Sequence, residues 1–178
     1  MTDHHDRDAP IETMWEGKFV TAKRKGKWEY VSRSRGIKAA VILAIIDGDV
    51  LMVEQFRTPL DRMCIELPAG LIGDETAGED PLVAAGRELE EETGYRADRL
   101  EDMGEFYSSP GMVSEAFTLV RARNLVKIHD GGGVDGEDIT VHRVPLSGVA
   151  AFIAAKRSEG CAIDVRVLLL PGMIGYDG

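Results

Sequence analysis

The longest apolar stretch of the chain spans residues 38–57 and reads KAAVILAIIDGDVLMVEQFR. Two runs of mostly aliphatic residues flank the dipeptide Asp47-Gly48, which is favoured in tight turns between antiparallel strands. Short apolar runs on both sides of a turn signal are typical of buried strands. The pattern therefore predicts a β-hairpin in the hydrophobic core.

Further strands are predicted on both sides of this hairpin. Residues 15–34 alternate well enough to indicate two strands joined by a turn around Lys25 and Gly26. Residues 64–73 indicate a short strand that runs into a loop punctuated by proline and glycine. Extended segments are also predicted at residues 99–120 around a loop at 108–111, at residues 139–144 and, as a buried strand, at residues 163–170.

Residues 80–94 carry the signals of an amphipathic helix. Asp80 can cap the free amides of a helix start, Pro81 fits the first turn, and Gly94 marks a stop. Between these signals, apolar or small residues recur at three- and four-residue spacing, so the helix is expected to lie against the core. This stripe comprises Leu82, Ala85, Gly86 and Leu89.

A second helix is predicted from Ser147, which can cap its first turn, to about Arg157. This order of strands and helices suits an α/β/α sandwich around a mixed sheet. The 178 residues are enough for one medium domain with a small N-terminal addition. We divide the chain into a mobile tail (residues 1–13), a β-hairpin extension (14–37) and a main domain (38–178).

The first predicted helix has an acidic face. Glu88, Glu91 and Glu92 stand at positions i, i+3 and i+4 and share one side of the helix. Like charges at this spacing repel, and carboxylates in the last turn oppose the helix dipole, each at a cost of about 0.3–1 kcal/mol. One interpretation is a solvated face in which Arg87 pairs with Glu91. The other is a metal site, because clustered carboxylates suit Mg²⁺ or Mn²⁺ better than zinc.

Residues 73–95 resemble the Nudix box, whose pattern is G-x5-E-x7-R-E-U-x-E-E-x-G-U, with U a bulky apolar residue. Tyr95 occupies the last position, where Ile, Leu or Val is commoner. Several fixed positions matched within one short stretch make a specific signal, and the resemblance extends over about residues 38–170. The matching residues are Gly73, Glu79, Arg87, Glu88, Leu89, Glu91, Glu92 and Gly94.

The resemblance to Nudix hydrolases implies hydrolysis of a diphosphate linkage with bound Mg²⁺, for which Mn²⁺ can substitute. It implies that Glu88 and Glu92 are the principal metal ligands, one helical turn apart. Glu91 and the Ala69 carbonyl would complete the ligand shell. Glu91 is also expected to be a catalytic residue. Arg87 is expected to orient these glutamates during catalysis.

Features outside the box resemble the ADP-ribose pyrophosphatase branch of the family, which implies conversion of ADP-ribose to AMP and ribose 5-phosphate. They include the segment ELPAG at residues 66–70 and Pro110, which we assign to substrate binding. Glu115 matches a loop glutamate proposed to activate water, and Arg57 matches an arginine that contacts the substrate. Without the resemblance, each would be interpreted as a solvated charge. Glu66 could be a further metal ligand or a substrate contact, or it could pair with a basic neighbour, and we favour this structural role.

The predicted N-terminal hairpin carries Phe19, Trp28 and Tyr30, more aromatic surface than a small appendage buries by itself. It could pack on its own main domain or on a second subunit. In the nucleotide-sugar Nudix enzymes that this chain resembles, such a sheet joins two subunits and helps to hold the nucleoside. The resemblance therefore implies a homodimer in which Trp28 contacts substrate.

The net charge of −10 argues against nucleic acid or an anionic membrane as a main partner, since both require basic patches. The same charge would repel a phosphate-bearing substrate unless bound cations bridge it to the carboxylates. The sequence shows no apolar run of transmembrane length and no signal peptide, so we expect a cytoplasmic protein.

Two cysteines, Cys64 and Cys161, are too few to indicate a disulfide framework or a zinc site, and we expect reduced, packed thiols. His4 and His5 are expected to be tail residues and not ligands. The glycine-rich segment at residues 129–138 lacks phosphate-loop spacing and is interpreted as a flexible connection that could reach the mouth of the site.

Three alternatives to ADP-ribose hydrolysis remain open. A GDP-mannose or other nucleotide-sugar hydrolase would use the same metals. A Nudix-fold regulatory module would bind nucleotide sugars without hydrolysis, and the intact box glutamates disfavour it. A Nudix enzyme that processes nucleic acid is disfavoured by the acidic charge balance.

Overall fold

The computed structural model of the chain describes residues 6–34, 37–73, 78–134 and 136–170. The first element is a three-stranded antiparallel sheet in the order β1-β2-β3. Its strands are β1 (Ile11–Glu16), β2 (Val20–Lys25) and β3 (Trp28–Arg33). The predicted hairpin at residues 15–34 is confirmed, and its turn places Gly26 at a φ of 58°.

The assignment of residues 1–13 to a tail was wrong at its boundary, because residues 11–13 belong to β1. All six residues of β1 are exposed, its apolar residues Ile11, Met14 and Trp15 included, so the strand has no buried face. It is held instead by pairing with β2, from Ile11 opposite Lys25 to Glu16 opposite Thr21. His4 and His5 lie outside the described residues.

A second, eight-stranded mixed sheet follows the path β11-β6-β5-β4-β9-β8, with β10 on β5 and β7 on β4. The pairs β4–β9 and β11–β6 are parallel, and the other pairs are antiparallel. The strands are β4 (Lys38–Ile46), β5 (Asp49–Arg57), β6 (Arg62–Glu66), β7 (Ala69–Ile72), β8 (Tyr95–Tyr107), β9 (Ala116–Lys127), β10 (Thr140–Pro145) and β11 (Ala162–Ile163).

One helix covers each face of the sheet, which confirms the predicted α/β/α sandwich. The helices are α1 (Pro81–Thr93) and α2 (Val149–Ser158). Alternate residues of β4 supply the two cores, as expected for a central strand buried on both faces. Ala40 and Ile42 pack in the core with Leu89 of α1, whereas Val41 belongs to the core against which Phe152 of α2 packs.

The predicted signals of α1 are confirmed. The Asp80 carboxylate accepts a hydrogen bond from the Leu82 amide at 2.8 Å, and Gly94 ends the helix at a φ of 74°. A Cβ at residue 94 would lie 2.1 Å from the His129 carbonyl oxygen, so the loop at 129–134 can approach only a glycine. The Gly132 and Gly133 amides then donate to two of the last carbonyls of the helix, those of Glu92 and Glu91, at 2.9 and 3.0 Å.

Two predictions around α2 and β6 need correction. Ser147 does not cap α2, because a 3₁₀ turn at Leu146–Gly148 precedes the helix and Gly148 is its N-cap, without a side-chain hydrogen bond. The segment after β6 is not only a loop, since residues 69–72 form β7 on the edge of β4.

The predicted buried strand at residues 163–170 was wrong. Only Ala162–Ile163 is a strand, and Val165–Leu169 is a 3₁₀ helix. Asp164 caps this helix by accepting from the Arg166 amide at 2.7 Å. Val167 and Leu170 are buried three residues apart, as the 3₁₀ period requires. The apolar run therefore suits a strand by composition, while its local capping favours a helix.

The N-terminal sheet packs against its own main domain through β3. The Val31 amide donates to the Met112 carbonyl at 3.0 Å, and the Ser114 amide donates to the Val31 carbonyl at 3.0 Å. The hydroxyls of Ser32 and Ser114 are 2.7 Å apart. The loop before β9 is thus tied to the N-terminal sheet. No helix in the described ranges is long and apolar enough to cross a membrane.

Candidate active site

A cleft of about 600 Å³ lies where the C-terminal half of α1 and β7 meet β5, β6 and the loop before β9. Its lining is highly charged, with three arginines against six carboxylates among the described residues. The formal excess of negative charge would oppose an anionic ligand unless a cation is bound with it. These charged residues are Arg33, Arg57, Arg166, Glu66, Glu88, Glu92, Glu115, Glu137 and Asp164.

One side of the cleft, the acidic wall, is formed by Glu88 and Glu92 of α1 and by Glu137 of the loop between β9 and β10. Glu92 is only 5% exposed, and its carboxylate accepts a hydrogen bond from the Ala69 amide at 3.0 Å. Burial raises the pKa of Glu92 to about 8, and the charges of Glu88 and Glu137 raise it as well. The wall therefore resists full ionisation and is a favourable position for a cation.

Glu88 lies directly against the backbone of β7. A Cβ at residue 70 would stand 1.9 Å from the carboxyl carbon of Glu88, so Gly70 is required for this close approach. Arg87 lies beside the acidic wall, with its Nη1 3.0 Å from Glu88 and 3.1 Å from Glu91. Its Nε is 3.7 Å from Glu79. Arg87 thus lies within 4 Å of three box glutamates, Glu79, Glu88 and Glu91.

The opposite side, the basic wall, is formed by Arg57, Arg166, Glu66 and Asp164. Arg57 donates from Nε and Nη2 to Glu66 at 2.6 and 2.7 Å, a bidentate pair. Arg166 donates to Asp164 at 2.7 and 2.6 Å and to Glu66 at 3.2 Å. Glu66 is 1% exposed, and its carboxylate accepts hydrogen bonds from both arginines. Its predicted structural role is consistent with these bonds.

Glu115 lies at the rim of the cleft and forms an ion pair with Arg33 of β3. The same two residues also line a neighbouring cavity of about 650 Å³ between the N-terminal sheet and the main domain. The pair therefore separates the two cavities. It also adds a fourth contact between the N-terminal sheet and the loop before β9.

The structure brings together some of the predicted site residues and not others. Ala69, Glu88, Glu92, Glu115 and Arg57 all line the cleft. Arg87 and Glu91 are paired behind the acidic wall and are not in the lining. Trp28 and Pro110 are exposed outside it, Trp28 with 59% of its surface accessible.

Four charged lining residues were not singled out from the sequence: Arg33, Glu137, Asp164 and Arg166. Glu137 comes from the glycine-rich loop, for which only a position near the site mouth was predicted. Arg33 lies on β3, whereas Asp164 and Arg166 belong to the cap and first turn of the 3₁₀ helix that was predicted as a strand. No local motif marks these four as site residues, because their places in the cleft depend on tertiary contacts. Cys64 also lines the cleft as a free, buried thiol, and burial raises its pKa to about 12.

The donor set of the acidic wall fits a hard divalent cation, since it consists of carboxylate oxygens. Within the described ranges, however, no three His, Cys, Asp or Glu side chains are close enough to form a complete metal cluster. An ion at this wall would therefore take further ligands from backbone, water or substrate.

Known proteins match the chain over most of its length. A family model for the NUDIX domain matches residues 36–157. The chain is 48% identical to the ADP-sugar pyrophosphatase of Mus musculus over 182 aligned positions, covering 88% of this chain and 81% of that protein. It is 37% identical to the ADP-ribose pyrophosphatase of Bacillus subtilis over 120 positions, covering 66% of this chain and 63% of the relative.

The fold is also found among solved structures. A crystal structure of an ADP compounds hydrolase has a TM-score of 0.64 to this chain at 22% identity, and the match covers 82% of this chain and 80% of the other. The family model spans well over half of the chain, and the box residues that carry the resemblance lie on α1 beside the cleft. The chain belongs to the NUDIX domain family.

Proposed function

We propose that the protein hydrolyses the diphosphate linkage of ADP-ribose to AMP and ribose 5-phosphate, with Mg²⁺ bound at the acidic wall. The observation that carries this proposal is the cleft itself, in which box glutamates face a pair of ordered arginines. The names of the mouse and Bacillus relatives support the choice of an ADP-linked sugar.

Glu88 and Glu92 would hold the ion, assisted by the Ala69 carbonyl. When bound, Mg²⁺ neutralises charge on the diphosphate oxygens and lowers the pKa of the attacking water. Glu91 would contribute through Arg87, which it shares with Glu88, and not from the cleft lining. Arg87 would keep the carboxylates in place while their charge changes.

Arg57 would bind the phosphate or ribose side of the substrate. Its side chain is 40% exposed, although Glu66 holds its Nε and Nη2. The N–H groups of Nη1 can therefore donate to an anionic oxygen in the cleft. A guanidinium already fixed by a bidentate partner loses little further conformational entropy when substrate binds.

We propose that the general base is one of two carboxylates in the cleft lining. Glu115 was assigned from the resemblance, but it is bound to Arg33 and would have to leave this ion pair before accepting a proton. Among the described residues, Glu137 accepts a hydrogen bond from the neutral Val134 amide, and its charge acts on Glu92. We therefore favour Glu137, with Glu115 as the alternative.

We further propose that two copies associate through the N-terminal sheet and that Trp28 then contacts the nucleoside of the substrate. Large apolar side chains exposed in this region support the proposal, because such patches mark interaction surfaces. Sedimentation velocity should show a dimer, and a purely monomeric species would exclude this arrangement. The exposed residues are Ile11, Met14, Trp15, Phe19, Val20 and Trp28.

The proposed location is the cytoplasm, where nucleoside diphosphate sugars and Mg²⁺ are both available. Fractionation of cells that express the protein would test it, and recovery with membranes or medium would contradict it.

The test of the reaction is product identification by chromatography after incubation with Mg²⁺ and ADP-ribose, GDP-mannose or NADH. We expect ADP-ribose to be hydrolysed faster than the other two compounds and to give AMP and ribose 5-phosphate. No product should form when EDTA removes the metal. Faster release of GMP from GDP-mannose would establish the nucleotide-sugar alternative. Binding without any product would indicate a regulatory module.

A further inference from the structure

Arg166 occupies an unusual position for a residue with no assigned role. Its side chain is 18% exposed, lies in the cleft lining and contacts two carboxylates at once. The guanidinium also stands 5.9 Å from the centre of the Phe117 ring. Three sets of contacts therefore fix its plane.

Arg166 and Arg57 are connected through one oxygen atom of Glu66. Oε2 of Glu66 accepts from Nη2 of Arg57 at 2.7 Å and from Nη2 of Arg166 at 3.2 Å. A buried carboxylate that accepts from both sides has little freedom to rotate. The orientation of Glu66, and with it the plane of the Arg57 guanidinium, depends on Arg166.

The position of Arg166 is set by the backbone around it. The Asp164 amide donates to the Ile65 carbonyl at 2.9 Å, which joins the 3₁₀ helix to β6 next to Glu66. The Asp164 carboxylate accepts from both the amide and the guanidinium of Arg166. Asp164 therefore holds Arg166 at the correct distance from Glu66.

Charge balance gives the same conclusion. Arg57, Glu66, Arg166 and Asp164 alternate in sign, so the basic wall is neutral when all four are ionised. Loss of Arg166 would leave two carboxylates for one arginine. Arg57 would then be drawn towards Asp164 as well as Glu66, and an anion in the cleft would bind less tightly.

We propose that Arg166 is a positioning residue for substrate binding, which acts through Glu66 to present the Nη1 face of Arg57 to the substrate diphosphate. The inference rests on the proposed function, since it concerns the same cleft. It assigns Arg166 to ground-state binding and not to the chemical step.

The experiment compares wild type with Arg166→Met and Arg166→Lys. The probes are ADP-ribose for kinetics and its α,β-methylene analogue, whose carbon bridge prevents hydrolysis, for calorimetry with Mg²⁺. For Arg166→Met we expect KM to rise and analogue affinity to fall about tenfold, typical of a misplaced charged hydrogen bond, with kcat within about twofold. Arg166→Lys should fall between the two, because an ammonium cannot bridge both carboxylates in a planar fork.

Two controls separate positioning from general effects. Arg157→Met removes the same charge from the exposed last turn of α2 and should leave KM unchanged. In the double variant Arg57→Met/Arg166→Met, affinity should equal that of Arg57→Met alone, because there is no longer a guanidinium to position. If the double variant instead loses affinity by the product of the two single-variant factors, Arg166 acts independently of Arg57. That result would overturn the proposal.

The remaining outcomes are also decisive. Unchanged KM and analogue affinity in Arg166→Met would refute the inference and leave the proposed function standing. If wild type binds the analogue but hydrolyses nothing, the proposed function fails, and the affinities still decide the role of Arg166. If wild type does not bind the analogue, both fail. If Arg166→Met does not fold, Arg166→Lys decides, with an expected KM increase of about threefold.

Discussion

The two walls of the cleft solve opposite electrostatic problems. The acidic wall gathers Glu88, Glu92 and Glu137, and burial together with like charge raises the pKa of Glu92 to about 8. The basic wall buries Glu66 just as deeply, yet supplies it with hydrogen bonds from Arg57 and Arg166. Arginine partners stabilise the charged form of a buried carboxylate, whereas burial beside like charges favours the neutral form.

The difference indicates which wall is complete without a ligand. The basic wall is neutralised internally, and five hydrogen bonds of 2.6 to 3.2 Å fix its geometry. The acidic wall gains most from a bound cation. We therefore propose that the acidic wall binds metal and that the basic wall is preorganised for substrate.

The largest expected effect is that of Glu92→Gln, which removes a charged oxygen ligand from the acidic wall. Mg²⁺-dependent turnover should fall about 1,000-fold, since loss of a principal ligand removes most of the electrostatic stabilisation. Steady-state kinetics with circular dichroism of the folded variant measure this effect. Glu90→Gln is the matched control, because Glu90 pairs with exposed Arg96 and is not in the cleft lining. Similar activity in both variants would refute the metal assignment.

The choice of base gives the next effect in size. Glu137→Gln should lower kcat about 100-fold, within the usual contribution of a general base. Glu115→Gln should lower kcat only about tenfold, because Glu115 lies at the rim of the cleft in an ion pair with Arg33. Both variants should still bind Mn²⁺, as measured by electron paramagnetic resonance. The reverse order of kcat losses would assign the base to Glu115.

A smaller effect is expected where backbone and acidic wall touch. Gly70→Ala places a methyl group at the position of the Glu88 carboxyl group and should displace that carboxylate, lowering kcat/KM about tenfold. In Gly148→Ala the new methyl group meets only ordinary contacts of 3.7 Å and longer, so activity should be preserved. Equal activity of the two variants would show that the placement of Glu88 is not important.

The sequence makes the helical part of the acidic wall predictable, but not Glu137, and the basic wall is only partly predictable. Glu88 and Glu92 lie in one helix with its own cap and stop signals, so local rules place both on one face. Arg57 could be named only from resemblance. Arg166 depends on a 3₁₀ helix in a segment with strand composition, and its partner Glu66 is 100 residues away in the chain. Interactions over such separations leave no periodic pattern to read.

The smallest expected effect is on the free energy of unfolding of the metal-free protein, and it concerns Glu92 of the acidic wall. A raised pKa means that folding favours protonated Glu92, so the destabilisation begins as pH rises above the usual 4.5 and is complete above about 8. In EDTA, Glu92→Gln should therefore be more stable than wild type by about 1–3 kcal/mol at pH 9, the cost of a buried unpaired charge. The difference should nearly vanish at pH 5. Urea unfolding at both pH values measures it, and a pH-independent difference would contradict the shifted pKa.

The central claim is that the acidic wall binds the divalent cation. Its most direct test is a Mn²⁺ titration of wild type, Glu92→Gln and Glu90→Gln, followed through the electron paramagnetic resonance signal of free Mn²⁺. We expect wild type and Glu90→Gln to bind Mn²⁺ with the same affinity and so to deplete this signal equally. Glu92→Gln should bind Mn²⁺ at least about tenfold more weakly. Equal Mn²⁺ affinity in all three proteins would contradict it.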